Sequence, residues 1–287
     1  MRKLGLVLTL LAAALSSATA QVSVEVALEQ DQFLPAESIW AAVRITNRSG
    51  QALRLGGSAG WLAISVEARD GFIVVQNNDL PLVGEFELDN AKVATKRLNL
   101  SPYFNLAKPG RYSIIATVRI KDWDKEFMSK PRSFDIINGV KLWEQEFGVP
   151  QSAGSPEVRK YALQQAVYLK QLKLYVRLTD ASDTKIFRVF ALGPMVSFSR
   201  PEPQVDKACR LHVLFQGGAR AFLYCVLNPE GDVITRQTYD YIGSRPRLVM
   251  DADGNITVTG GVQRVTDRDL PGPTSLTATN DVKPPAP

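Results

Sequence analysis

Between residues 22 and 137 the chain alternates apolar and polar side chains at every second position and is broken at short intervals by turn residues. A period of two fits a pleated strand with one wet face and no helix. "VSVEVAL" alternates from Val22. "ESIWAAVRITNRSGQALRLG" gives two strands about a turn at 47–50. "WLAISVEARDGFIVVQ" reads as a hairpin whose turn is Asp70-Gly71, a pair that fits a type I′ turn. "KVATKRLNL" alternates again, "KPGRYSIIATVRI" runs out of a turn at Pro109-Gly110, and "PRSFDII" closes the set. About seven short strands with regular turn signals predict an all-β, two-sheet antiparallel sandwich.

Two of these stretches carry a resemblance. "FLPAESIWAAVRITNRSG" is similar to the opening of extracellular bacterial immunoglobulin-like modules, with an aromatic, a Pro-Gly-Glu-like corner and an Asn-x-Ser-Gly turn. "LAKPGRYSIIATVRI" resembles their penultimate strand, with Tyr112 just after the glycine turn. The resemblance implies an immunoglobulin-like β-sandwich over 21–138 and says almost nothing of function. Ala36 stands where that pattern has glycine, and the module has no cysteine pair, so it must rely on its core.

After residue 138 the pattern changes. "NGVKLWEQEFGVPQSAGSP" reads as a connector, 139–156, that packs through Trp143 and Phe147. The stretch 157–172 fits a helical face and a strand alike; a strand agrees better with the strand-like residues after it. Then comes an internal repeat. "LYVRLTDASDTKIFRVF" from Leu174 parallels "LYCVLNPEGDVITRQTY" from Leu223, and "RPEPQVDKACRLHVLFQGG" from Arg200 parallels "RPRLVMDADGNITVTGG" from Arg245. The second pair looks like the Pro-strand-Asp-Gly-strand units of sialidase-type propellers. Only about two such units fit, too few for a closed propeller. The expectation for 157–267 is therefore a second β-rich domain of stacked antiparallel hairpins. The Pro/Thr-rich tail, 268–287, has little apolar surface and is expected to be disordered.

The first residues say where the chain goes. Arg2 and Lys3 precede a short apolar run and the small-residue stretch Ala18-Thr19-Ala20. This is the form of a secretory signal peptide over 1–20, cleaved after Ala20. It implies export to the periplasm or the outside of a bacterial cell. No second long apolar run predicts a membrane span. Two charges of the net +5 leave with Arg2 and Lys3. The remainder shows no dense basic block, which argues, together with export, against nucleic acid as a partner.

Chemistry is sparse. The only two cysteines, Cys209 and Cys225, and the only histidine, His212, lie in "ACRLHVLFQGGARAFLYCV". With a three-residue loop Cys209 falls opposite Cys225, and one face is wholly apolar. With a two-residue Gly217-Gly218 turn Cys209 pairs with Val226 and both faces are mixed. The first register segregates polarity better and is preferred. It points His212 away from both thiols, beside Arg210, Arg220 and Tyr224, none of them an orienting carboxylate. A disulfide is the natural fate of the pair in an exported chain, and two buried free thiols are the alternative. "DADGN" from Asp251 is half a calcium loop without the later Glu, and no metal or other cofactor is expected. Neither GxSxG, HExxH, a P-loop nor a dinucleotide fingerprint occurs, so no residue is assigned a catalytic role. His212, Arg245, Arg247 and Tyr239 form a candidate surface site. The leading expectation is an exported, non-catalytic binding or scaffold protein with a protein or glycan partner. The alternatives are a degenerate propeller-type carbohydrate-active enzyme and a secreted protease inhibitor presenting the loop 75–86.

Overall fold

The computed structural model describes residues 22–82, 84–150, 156–266 and 269–270. The stretch 1–20, expected to be a signal peptide, and residues 271–287 of the expected tail lie outside the described residues; near the start of that tail, 268–287, Leu270 N–H donates to Arg236 O. The chain divides into two units. The first holds β1 (Val22–Leu28), β2 (Gln32–Phe33), β3 (Trp40–Asn47), β4 (Leu53–Leu55), β5 (Leu62–Ala68), β6 (Phe86–Leu88), β7 (Val93–Asn99), β8 (Gly110–Ile120), β9 (Lys125–Met128) and β10 (Arg132–Ile136). The second holds β11 (Val140–Val149), β12 (Glu157–Tyr168), β13 (Gln171–Asp180), β14 (Ile186–Pro194), β15 (Glu202–Val205), β16 (Leu211–Gln216), β17 (Ala221–Leu227), β18 (Val233–Asp240), β19 (Arg247–Met250), β20 (Ile256–Thr259) and β21 (Val262–Arg264). The molecule is all-β, as the alternation predicts.

In the first unit a sheet of order β1-β3-β7 faces a sheet of order β2-β10-β8-β5, with β9 alongside β8. Each sheet buries one face. β3 shows why: Ala41, Val43, Ile45 and Asn47 point inward and are buried, while the residues between them are partly or fully exposed. Ala41, Val43 and Ile45 meet Ile64, Val66, Ile114, Ala116 and Val118 of the opposite sheet in one core. Tyr112 stacks on Phe134 at 5.5 Å and donates its hydroxyl to the carbonyl of Lys108 at 2.7 Å. That bond anchors the turn at Pro109-Gly110 to the core.

Three local expectations change. The short pairing of β2 with β10 is parallel, unlike the rest of the sheet. At 68–72 the chain makes a three-residue loop, not a type I′ turn. Gly71 N–H donates to Ala68 O, Ala68 N–H donates to Phe72 O, and only Gly71 has positive φ, 79°. This is a type I turn closed by a residue in the left-handed region, which forms a bulge. The residues after it touch β5 through a single bridge, Glu67 to Ile73, and form no strand.

The second unit is built in layers. A sheet of order β11-β12-β13-β14 faces a sheet of order β15-β16-β17-β18-β21. Their shared core contains Phe147, Tyr161, Leu163, Val176, Leu211 and Val213. The outer face of the second sheet is covered by the hairpin β19-β20, whose Leu248 and Ile256 pack on Leu214, Phe222 and Val226. All of β16 is therefore buried, on both faces. The outer face of the first sheet takes Leu34 against Ala166, Tyr175 and Val189, and Leu34–Glu37 group with this unit.

The repeats are real hairpins, but they occupy different layers. Residues 174–190 lie in β13-β14 and 223–239 in β17-β18, the two facing sheets. The expected connector is a correction: 140–149 are the ten-residue strand β11, paired along β12. Trp143 and Phe147 do pack on the core. The alternation was hidden by a bulge between Lys141 and Trp143 and by Gln145 on the inner side. The ambiguous stretch 157–172 is a strand hairpin: β12, a turn at Leu169-Lys170, and the start of β13.

Candidate functional site

The site residues gather at the turn 206–210, between β15 and β16. Asp206 N–H donates to Arg210 O, Cys209 N–H donates to Asp206 O, and Asp206 Oδ1 accepts from the N–H groups of Ala208 and Arg210, both at 2.9 Å. A short acidic side chain at the first turn position commonly accepts in this way. The turn leaves Asp206 Oδ2 directed at the outer face of β16.

There Asp206 Oδ2 lies 3.0 Å from His212 Nε2 and 2.6 Å from Arg210 Nε, and His212 Nδ1 lies 2.7 Å from Tyr224 Oη. An ionised carboxylate can only accept, so Nε2 carries the imidazole proton and Nδ1 accepts from the Tyr224 hydroxyl. Asp206, His212 and Tyr224 are each at least nine-tenths buried. Burial pushes the His212 pKa down, against the Asp206 carboxylate, which raises it, so the ring is neutral at pH 7. Burial pushes the Asp206 carboxyl up, but hydrogen bonds from His212 and Arg210 outweigh it and hold it below the usual range. The Tyr224 hydroxyl is pushed up, chiefly by burial.

The connectivity hydroxyl–imidazole–carboxylate is that of a nucleophile with an oriented base. Here the hydroxyl is a phenol with a raised pKa, its ring packed edge-on against Tyr239 at 6.5 Å and inside the apolar layer under β19-β20. Four donors saturate Asp206, and the imidazole has a partner on each side. The arrangement is a buried strut that fixes the 206–210 turn to β16 and β17.

The candidate surface site is corrected by this geometry. His212 is buried, not at the surface. Tyr239 joins the same aromatic layer and donates to Gln237 Oε1 at 2.9 Å. Arg245 lies over the ring of Phe222, 5.2 Å from its centre, and donates to Ser199 Oγ at 3.2 Å. Arg247 is exposed on β19. Of the four, only His212 is buried; Tyr239 and Arg245 are partly exposed against the layer of Tyr224 and Phe222, and Arg247 stands outside it. Of the partners expected for His212, Tyr224 is one, whereas Asp206 was missed. The signal that could have found it was the turn itself: once Asp206 and Arg210 close β15 onto β16, Asp206 sits beside the row that holds His212.

The cysteines are also corrected. The register pairs Val213 with Cys225 and Leu211 with Leu227. Cys209 lies before β16 in the turn, with φ 59°. Both are free thiols, and the staple across the hairpin is not formed. Cys225 sits in the core, where burial pushes its thiol up to about 11. Cys209 Sγ lies 3.3 Å from Gly148 O. Both sit on the inner face, away from His212. Among the described residues no group of three or more His, Cys, Asp or Glu side chains is placed to hold a metal ion. Two described residues of the loop 75–86 are held to the first unit: Asn77 N–H donates to Tyr103 O, and Trp61 Nε1 donates to Leu82 O. No helix among the described residues is long and apolar enough to cross a membrane.

No protein-family model and no curated protein matches the chain. Among solved structures, the sporulation control protein Spo0M from Bacillus subtilis is similar over 60% of this chain and 91% of its own, with 8% identity and a TM-score of 0.31.

Proposed function

We propose that the chain is an exported, non-catalytic binding or scaffold protein, and that its first unit is an immunoglobulin-like module. The observation that carries this reading is the fate of the chain's only histidine. The one arrangement with the connectivity of a catalytic triad is fully buried and internally satisfied, and its role is structural. The Tyr112 bond to the turn before β8 supports the finer reading of the first unit, because such modules fix a corner in this way. The form of the first 20 residues supports export. Cell fractionation and N-terminal sequencing of the full chain test it. A mature protein beginning at Gln21 outside the cytoplasm is expected, and an intact Met1 in the cytoplasm would reject export. Incubation of the purified protein with oligosaccharide and peptide substrates tests the rest. No turnover is expected, and turnover lost on mutation of this chain would reject the non-catalytic reading.

A further inference from the structure

Four tryptophans occur in the chain. Trp61 is buried in the first core, Trp123 packs edge-on with Phe127, and Trp143 packs on the second core. Trp40 does none of this. It stands on the outer face of β3, 42% exposed, and joins no aromatic pair or core cluster among the described residues.

A single exposed indole needs no explanation by itself, but its neighbours form a site. The ladder of β1, β3 and β7 puts Ala27, Ala42 and Arg97 in one row and Trp40 opposite Asn99 in the next. The two alanines leave a low floor beside the standing ring. Glu29 and Arg97 close a cleft of about 190 Å³ around it. Neither makes an ion pair or a hydrogen bond among the described residues. The cleft is smaller than the roughly 300–1,000 Å³ that encloses a drug-sized ligand. It is open to one side and suits a single ring presented from a longer molecule.

We infer that this cleft binds one pyranose ring of a neutral glycan. The ring's C–H face stacks on Trp40, Glu29 accepts from its hydroxyls, and the guanidinium of Arg97 donates to them. The chemistry excludes the other classes. One acid and one base give no net charge to select an anion or a cation. A purely apolar ligand would strip water from Glu29 and Arg97 and return no partner. A hydroxyl both donates and accepts, so a sugar satisfies both and also offers the flat apolar face that an indole takes. An extended peptide would be held through backbone groups at a sheet edge, whereas Trp40 lies on the central strand of its sheet.

This inference rests on the binding reading above and names its ligand class. The full mature protein, with nitrogen-15 in its tryptophans, is titrated with cellohexaose, maltohexaose, chitohexaose and mannohexaose. The indole N–H signal lost in Trp40→Phe identifies Trp40. The expected result is that one of these sugars moves the Trp40 signal and leaves the other three in place. Trp40→Ala then weakens binding at least about tenfold, and Arg97→Ala and Glu29→Gln each weaken it about threefold to tenfold, all with unchanged melting temperature. The inference is overturned if none of the four sugars moves the Trp40 signal, or if Trp40→Ala binds as well as the parent. It is also overturned if binding is confined to a sulfated glycan and vanishes with salt, or if Trp40 instead takes up a protein partner. That last result would leave the binding reading standing. Hydrolysis of a bound hexaose would instead reject the non-catalytic reading and leave the glycan site in place.

Discussion

The hairpins 174–190 and 223–239 begin alike and end in opposite sheets of the second unit. In the first, Leu174, Val176 and Leu178 point into the shared core; in the second, Leu223, Cys225 and Leu227 do. Tyr175 and Tyr224 follow the first residue of each set and point outward, yet both are buried. Each outer face has its own cover, Leu34 for the first and β19-β20 for the second. The local sequence makes the hairpin, and a remote piece of chain decides whether its second face stays wet. Cys225 occupies the place of Val176 and behaves as a small apolar residue. Cys209 has a parallel of its own. The turns 206–210, 228–232 and 251–255 share one set of bonds, and their left-handed positions hold Cys209, Gly231 and Gly254. The two cysteines thus replace a valine and a glycine and do not act as a pair.

The largest effect should come from breaking the turn that differs most from its parallels. Asp206→Ala leaves His212, Arg210 and two backbone N–H groups without an acceptor. Removing one partner of a buried charged network costs about 3–5 kcal/mol. Urea unfolding should show it, and Asp251→Ala, in the exposed turn of the same form, should lose much less. Equal losses would reduce Asp206 to an ordinary turn former.

Next in size is the response to acid. With one histidine in the chain, the interval from pH 6.5 to 5 reports on His212. Its pKa is lowered on folding, so below about 6.5 the unfolded chain takes up a proton that the folded chain refuses. Stability should fall with pH there, by up to about 1.4 kcal/mol per pH unit. The lowered pKa of Asp206 adds a second loss once pH drops below the unfolded value of about 3.9. Urea titrations at pH 7, 6 and 5 should show the first slope, and His212→Gln should flatten it. A slope that survives in that variant would move the acid response elsewhere.

Core equivalence gives a smaller effect. Cys225→Val should cost under about 1.5 kcal/mol, because the parallel strand already holds valine there. Cys225→Ser should cost about 1–3 kcal/mol, because it buries a hydroxyl. Similar thermal shifts for both would argue that the thiol has a role of its own.

The smallest is a gain. A left-handed backbone costs a side-chain-bearing residue roughly 1–2 kcal/mol, and Cys209→Gly removes that cost while losing the packing of the thiol. The net should be a rise of under about 1 kcal/mol, with no response of the parent's melting temperature to reducing agent. A fall on substitution, or a drop with reductant, would restore the cysteine as a structural tie.

The period-two pattern was enough to determine the all-β class and the strands β1, β3, β5, β7, β8 and β10, because each has one wet face and one dry one. It also separated His212 from both thiols, although the predicted register was wrong. The structure pairs Val213, not Cys209, with Cys225, a slip of an even number of residues, which keeps every side chain on its predicted face. Tertiary structure decided the rest. The loop is longer than predicted because Gln216 donates to the carbonyls of Gly218 and Ala219 and closes it across 217–220. β11 was hidden because a bulge and an inward glutamine mask its alternation. The partner of His212 was hidden because Asp206 reaches it only after the turn has folded. The open cleft at Trp40 depends on three strands from separate parts of the sequence, and only their lateral register brings Ala27, Trp40 and Arg97 together.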